Sequence, residues 1–280
     1  MLKIDIISVQ PRMFEGFLRE SICARAVKKG ACEINIVDLR EFGLGKWRKV
    51  DDKPYGGGPG MLMRCEPWFA AVESLVPGGW CLVPGGWSLV PGASKESPYQ
   101  PPTANHQPPT TNHQPPTTNH QPPTTNHQAP STNHQTRIIM TSPSGRKFTQ
   151  RTAEELAQCE HLVFMCGHYE GFDARCRTLA TDELSIGDFV LTGGELAAAA
   201  MADAVVRLLP GVLGGGPAAT ASESFGREGL LEAPQYTHPA EFRGMKVPEV
   251  LVDGDHAKAE AWKRSEARKL TEAVRPDLLK

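Results

Sequence analysis

The chain has 280 residues, of which 40% are hydrophobic and 22% charged, enough to bury the core of one large domain or two ordinary ones. Thirty Lys and Arg oppose 32 Asp and Glu, so nucleic-acid binding would have to come from local basic patches and not from a global field. No apolar run approaches the roughly 18 residues of a membrane span, and Asp5 interrupts the N-terminal apolar stretch, unlike a secretory signal. Seven cysteines with no C-x-x-C pair and no His at zinc-finger spacing argue against a disulfide framework and a structural zinc; reduced thiols in a cytoplasmic protein are expected.

Leu2–Val9 reads as a strand, Met13–Lys29 as a helix ending at Gly30, and Glu33–Leu39 as a second strand, together one βαβ unit. A polar, glycine-laden connection runs through Gly60, and a short helix covers Pro67–Ser74. From Leu75 the text repeats every seven residues, first as LVPGGWC, LVPGGWS and LVPGASK, then as QPPTANH, QPPTTNH and QAPSTNH to residue 135. Residues 75–135 hold thirteen of the 24 prolines and five of the nine histidines, with only Lys95 and Glu96 charged. Proline removes amide donors, and Thr, Asn, Gln and His offer too little apolar area to offset chain entropy, so this insertion is expected to be low-complexity and disordered. Its heptads lack the apolar positions of a coiled coil from Gln100 on, and its histidines sit on a chain that preorganises no metal geometry.

Arg137–Thr141 resumes as a strand, Lys147–Gln158 as a helix, His161–Cys166 as a strand and Gly194–Leu209 as an alanine-rich helix. The alternation predicts an α/β fold, a mostly parallel sheet with helices on both faces. Beyond a Pro- and Gly-marked linker, His256–Leu270 is a helix carrying Lys258, Lys263, Arg264, Arg268 and Lys269, which suggests a small second domain.

Three glycine turns, Ser142–Arg146, Gly167–Gly171 and Ser185–Gly194, adjoin predicted strands or helices and suggest one shared pocket at the carboxyl ends of the strands. Neither G-x-G-x-x-G nor G-x-x-x-x-G-K-[ST] occurs, so dinucleotide and P-loop binding lack their main signals. A fourth cluster, Asp51–Met61, follows Lys46, Trp47, Arg48 and Lys49. Cations beside an aromatic residue and a glycine loop suit phosphate contacts and base stacking; a merely solvated loop is the alternative.

The strings YGGGPGM (Tyr55–Met61), GHYEGFDAR (Gly167–Arg175), SIGDFVLTGGELA (Ser185–Ala197), RLLPGVLG (Arg207–Gly214), ESFGREGLLEAPQYTHP (Glu223–Pro239) and VPEVLVDGDH (Val247–His256) closely resemble the bacterial tRNA (guanine-N1)-methyltransferases, the TrmD family. The resemblance runs in order along the chain outside 75–135. It implies methyl transfer from S-adenosylmethionine to N1 of the guanosine at tRNA position 37, in a fold whose α/β sheet holds a deep trefoil knot. The family is homodimeric and reported to need Mg²⁺; nothing in the residues shows a metal ligand set. The resemblance further implies a knotted cofactor-binding domain over 1–209, a flexible linker over 210–226 and a helical tRNA-binding domain over 227–280, with tRNA and a second copy as partners and neither DNA nor membrane.

Carried over residue by residue, the cofactor positions are Gly167, Ile186, Gly187, Asp188, Phe189, Val190 and Leu191, with Ser142, Pro143, Tyr169, Glu170, Gly193 and Gly194 close by. Backbone groups in tight turns can read a neutral adenine edge without charged side chains. Guanine N1 is protonated at neutral pH, so a base is required. The family's aspartate at that position is Glu223 here, and its catalytic arginine matches Arg207. Arg48, Lys49, Asp52, Tyr55, Gly58 and His238 are the expected substrate contacts. Departures from the pattern are Trp47 where His is more frequent, Ser144 where Gln is, and His238 where Arg usually stands. Glu223, His238 and the insertion leave open a catalytically silent RNA-binding relative, and a knotted methyltransferase acting on another RNA is a further reading.

Overall fold

A computed structural model describes residues 1–76, 78–83, 86–91, 136–214, 220, 222–226 and 228–279. The strands are β1 (Leu2–Ser8), β2 (Cys32–Asp38), β3 (Asp51–Asp52), β4 (Leu62–Met63), β5 (Gly78–Val83), β6 (Gly86–Pro91), β7 (Thr136–Lys147), β8 (His161–Cys166), β9 (Asp182–Ser185), β10 (Glu241–Phe242) and β11 (Met245–Lys246). The helices are α1 (Glu15–Arg19), α2 (Ser21–Lys28), α3 (Cys65–Leu75), α4 (Gln150–Leu156), α5 (Glu195–Val206), α6 (Glu249–Val252) and α7 (His256–Val274).

Five strands form one sheet in the order β2-β1-β8-β7-β9, every pairing parallel. Alternation along the strands divides the core in two. Ile4, Ile6, Ile139, Leu162 and Phe164 face α2, α4 and α5, while Ile7, Ile138, Met140, Val163 and Met165 meet Trp68, Ala71 and Val72 of α3. Burial on both faces explains the near-continuous apolar text of β8, HLVFMC. The predicted α/β class and the parallel sheet with helices on both sides are what the chain builds.

Several element boundaries differ from the sequence reading. Met13–Lys29 is not one helix: a 3-10 turn over Pro11–Phe14 leads into α1, and Glu20, extended at φ -121° and ψ 163°, separates α1 from α2. On a continuous helix Phe14 and Cys23 would face opposite ways, roughly 180° apart, yet both are buried in the same core. β7 does not stop at Thr141. It continues to Lys147, with a register break between Thr141 and Arg146 against β9, so the first glycine turn is an irregularity inside a strand. Gly145 makes that possible, because a Cβ there would lie 2.6 Å from the backbone of Glu183 and Leu184. The predicted Lys147–Gln158 helix is correspondingly shorter, and the Thr149 hydroxyl caps it by accepting from the Thr152 amide. β9 was missed because four residues carry too little periodicity.

The first repeat block also differs from expectation. β5 and β6 pair as an antiparallel hairpin, a regular element where none is predicted. The Gly-Gly-Trp text of this block has few of the stacked prolines that follow it. Residues 92–135, where the sequence predicts disorder, lie outside the described residues, as do 215–219 and Thr220's neighbour 221 in the predicted linker.

At the C-terminal end α7 spans 19 residues, four more than predicted, with the Asp255 carboxylate capping the amides of Ala257 and Lys258. Lys258, Lys263, Arg264, Arg268 and Lys269 all sit in ion pairs with nearby carboxylates. Thr271, fully buried, accepts from the Leu231 amide and ties this helix to the segment after Glu223.

Candidate active site

Three strands end, and a fourth turns irregular, at one edge of the sheet. Ser8 closes β1, Cys166 closes β8, Ser185 closes β9, and the irregular stretch Ser142–Gly145 lies within β7. The turns after β8 and β9, with the irregular stretch of β7, enclose a cavity of 470 Å³. Glycines shape its walls by necessity. A Cβ at Gly194 would lie 2.0 Å from Thr141 Oγ1, one at Gly187 2.4 Å from the Phe189 ring, and one at Gly167 2.7 Å from the Phe172 ring. The Gly194 amide donates to the Gly167 carbonyl at 2.7 Å, closing two of the turns on each other.

Of the positions anticipated for a cofactor, Ser142, Pro143, Gly167, Tyr169, Glu170, Ile186, Gly187, Phe189, Val190, Leu191, Gly193 and Gly194 line this cavity. Asp188 does not. The Phe189 ring folds back over Gly187, and Asp188, between them in sequence, is exposed and is not among the lining residues. The rim carries three carboxylates, Glu170, Asp173 and Glu183, and one arginine, Arg177. The hydrogen bonds from Arg175 hold the Asp173 carboxyl below its usual range despite partial burial. Cys166 lies beneath the floor, fully enclosed, and burial pushes its thiol well up, which makes it an inert filler and not a nucleophile.

The glycine loop after Tyr55 reaches the same edge. The Glu170 amide donates to the Met61 carbonyl at 3.0 Å, the Met63 amide to Gly171 at 2.9 Å and the Asp173 amide to Met63 at 2.9 Å. Gly60 presses on the Glu170 carboxylate so closely that a Cβ would lie 2.3 Å from its Oε1. Within this region Asp52 accepts from Arg64 at 2.7 Å, Tyr55 is fully exposed, and Gly58 adopts φ 129°. Arg48, at φ 48°, and Lys49 belong to a tight turn closed by paired hydrogen bonds between Leu44 and Lys49, with Trp47 78% exposed under the Lys46 ammonium. His238 is exposed on the segment leading to β10, and no described contact joins it to the cavity or the glycine loop.

Arg207 caps the end of α5, and its Nη2 donates to both carboxylate oxygens of Glu223 at 2.6 and 2.7 Å. The structure therefore brings the two candidate catalytic side chains together, but within one chain neither lines the cavity. Sequence reasoning missed His168, which lines the cavity, and Glu195 and Ser8, which are buried behind it. Only the place of Glu195 directly after Gly193–Gly194 could have pointed to it. Among the described residues no three His, Cys, Asp or Glu side chains converge as a metal site would require.

A parallel α/β sheet with a glycine-walled pocket at its strand ends defines the class of α/β proteins that bind a small ligand at that edge. The chain belongs to the tRNA (Guanine-1)-methyltransferase TrmD family, whose model matches residues 2–83 and 120–280. It is 45% identical over 279 residues to the tRNA (guanine-N(1)-)-methyltransferase of Shouchella clausii, covering 100% of this chain and 92% of that protein. The proteins of the same name from Moorella thermoacetica (43% identical; 99% of this chain and 90% of the relative) and Bacillus subtilis (44%; 100% and 93%) are similar along their lengths. Between the two segments matched to the family lie residues 84–119, inside the repetitive stretch.

Proposed function

We propose that the protein transfers a methyl group from S-adenosylmethionine to N1 of the guanosine at position 37 of tRNA. The observation that carries this reading is the 470 Å³ cavity, walled by turns at Gly167, Gly187 and Gly194 that leave no room for a Cβ. A nucleoside read through backbone amides and carbonyls fits such walls, and the rim carboxylates suit a ligand with cationic groups. The names of the relatives supply the reaction and the substrate class.

When bound, S-adenosylmethionine supplies an electrophilic methyl group. The chain's own residues then have two tasks. The glycine turns and Ser142–Pro143 hold the ligand and exclude water. Glu223 accepts the proton from guanine N1, and Arg207 donates to the guanine oxygen, where negative charge accumulates once that proton is gone. Because Arg207 and Glu223 now hold each other, RNA entry must separate them. In this reading the exposed Trp47, with Arg48 and Lys49, and the neighbouring Asp52, Tyr55 and Gly58 take the anticodon arm, and His238 contributes from the second domain.

The same reading places a trefoil knot at the three cavity turns, a domain boundary near residue 209 and a tRNA-binding domain over 227–280, in a cytoplasmic enzyme. It also makes the functional unit a homodimer, which is supported by the exposed Phe189, Val190, Leu191 and Leu196 beside the cavity. No group of three His, Cys, Asp or Glu side chains gathers among the described residues, and the reading assigns Mg²⁺ no position. The test is incubation of the full chain with labelled S-adenosylmethionine and unmodified tRNA bearing guanosine 37. 1-Methylguanosine should form, and tRNA carrying adenosine at that position should stay unlabelled. Absence of product with both RNAs would leave a silent RNA-binding relative.

A further inference from the structure

One buried carboxylate has no part in the chemistry above. Glu195 opens α5 and is 2% exposed. Its Oε1 accepts from Ser8 Oγ at 2.8 Å, which ties it to the end of β1. Its Oε2 faces His168 Nδ1 at 3.7 Å. Of the two ring nitrogens of His168, only Nδ1 is enclosed without a hydrogen-bond partner, while the residue itself lines the cavity. The surroundings fix this approach. His168 and Gly193 form a backbone bridge, and a Cβ on Gly193 would lie 2.2 Å from Glu195 Oε2 and 2.6 Å from His168 Nδ1. Only glycine at 193 lets the carboxylate and the ring share that space.

An enclosed ring nitrogen opposite a carboxylate oxygen is favoured as N–H, because the alternative sets two lone pairs against each other with no water between them. In a neutral imidazole a proton on Nδ1 leaves Nε2 as an acceptor. We propose that Glu195 is a positioning residue: anchored by Ser8, it holds His168 as the Nδ1–H tautomer, so that Nε2 offers an acceptor to a donor group of the ligand in the cavity. S-adenosylmethionine carries such donors in its ribose hydroxyls, adenine amino group and ammonium. That ligand half rests on the function proposed above, whereas the tautomer half rests on the geometry alone.

Nitrogen-15 spectra of histidine-labelled full-length protein read the tautomer directly. Wild-type His168 should show an unprotonated Nε2, and Glu195→Gln, which keeps the side-chain shape and a partner for Ser8, should move the proton wholly or partly to Nε2. A wild-type ring protonated on Nε2 overturns the proposal even if the variant fails to fold, and so does an unaltered ring in a folded variant. Calorimetry with S-adenosylmethionine tests the ligand half. His168→Phe should weaken binding about tenfold, the scale of one lost hydrogen bond to the ligand. His168→Gln, which can still accept, should lose less. His168→Phe combined with Glu195→Gln should bind no more weakly than His168→Phe alone, because the carboxylate acts only through the ring; additive losses would refute that. A wild-type protein with the expected tautomer and no affinity for S-adenosylmethionine would sink the proposed function and leave the Glu195–His168 relation standing.

Discussion

Arg207 and Glu223 meet through one guanidinium nitrogen and both carboxylate oxygens, at 2.6 and 2.7 Å, across a stretch of chain that leaves the end of α5. Glu223→Gln is expected to slow single-turnover methylation at least about 100-fold, the lower range for loss of a general base, with S-adenosylmethionine affinity changed less than about twofold. Near-normal single-turnover rates in that variant would remove Glu223 from the reaction.

Arg207→Lys separates charge from shape. Lysine keeps the cation but not the planar fork, so the turnover rate should fall by about tenfold or more while cofactor affinity holds. Equal losses in rate and affinity, measured by rapid quench and calorimetry, would mark a general defect in folding and not a missing donor.

Gly194→Ala tests the cavity wall. Its Cβ would meet Thr141 Oγ1 at 2.0 Å and the Gly167 amide nitrogen at 2.9 Å. A cost of about 1–3 kcal/mol in stability is expected from such overpacking, together with loss of S-adenosylmethionine binding. Adding Thr141→Ala should recover only part of the stability, since the backbone clash with Gly167 persists; denaturant melts of the two variants measure this.

Asp5 supplies a pH dependence of stability. Burial drives its carboxyl upward, but hydrogen bonds from His161, Lys3 and Asn35 outweigh that and hold it below the ordinary range. A carboxyl depressed in the folded state stabilises above the unfolded value, about 3.9, and that stability is lost as pH falls through the lower folded value. Asp5→Asn should therefore melt below wild type at pH 7, and the difference should shrink in melts taken at progressively more acid pH below about 4. A constant difference down to the acid limit would show that Asp5 acts by shape alone.

A variant in which a short linker replaces residues 92–135 should fold and methylate. Closure entropy changes by only about 0.6 kcal/mol per doubling of loop length, so a midpoint shift of a few degrees at most is expected in thermal melts. Complete inactivity of that variant would assign the repeat a structural or RNA-binding duty.

Four of the five strands were legible in the sequence because they are rich in apolar residues and punctuated by glycine and proline, while β9 was not; His161–Cys166 was read to the residue. What escaped were features set by tertiary distance. Nothing in the spacing shows that Phe14 and Cys23 share one core, that β7 resumes after Ser142–Gly145, or that Glu195 reaches Ser8 from 187 positions away. The cavity residues followed from the resemblance, and one of them, Asp188, is exposed and outside the lining. His168 lies inside the GHYEGFDAR string, yet its significance comes from Glu195, a neighbour that only the folded chain supplies.

The irregular stretch of β7 is pinned to β9 on either side, at Thr141 with Leu184 before it and at Arg146 and Lys147 with Leu184 and Ser185 after it. That rim is a bracket fastened at both ends, unable to swing without unzipping sheet hydrogen bonds. Traffic into and out of the hollow must therefore be governed by the opposite rims, and anyone wishing to enlarge it for a bulkier guest should begin at Tyr169 or Phe189 and leave Gly145 alone.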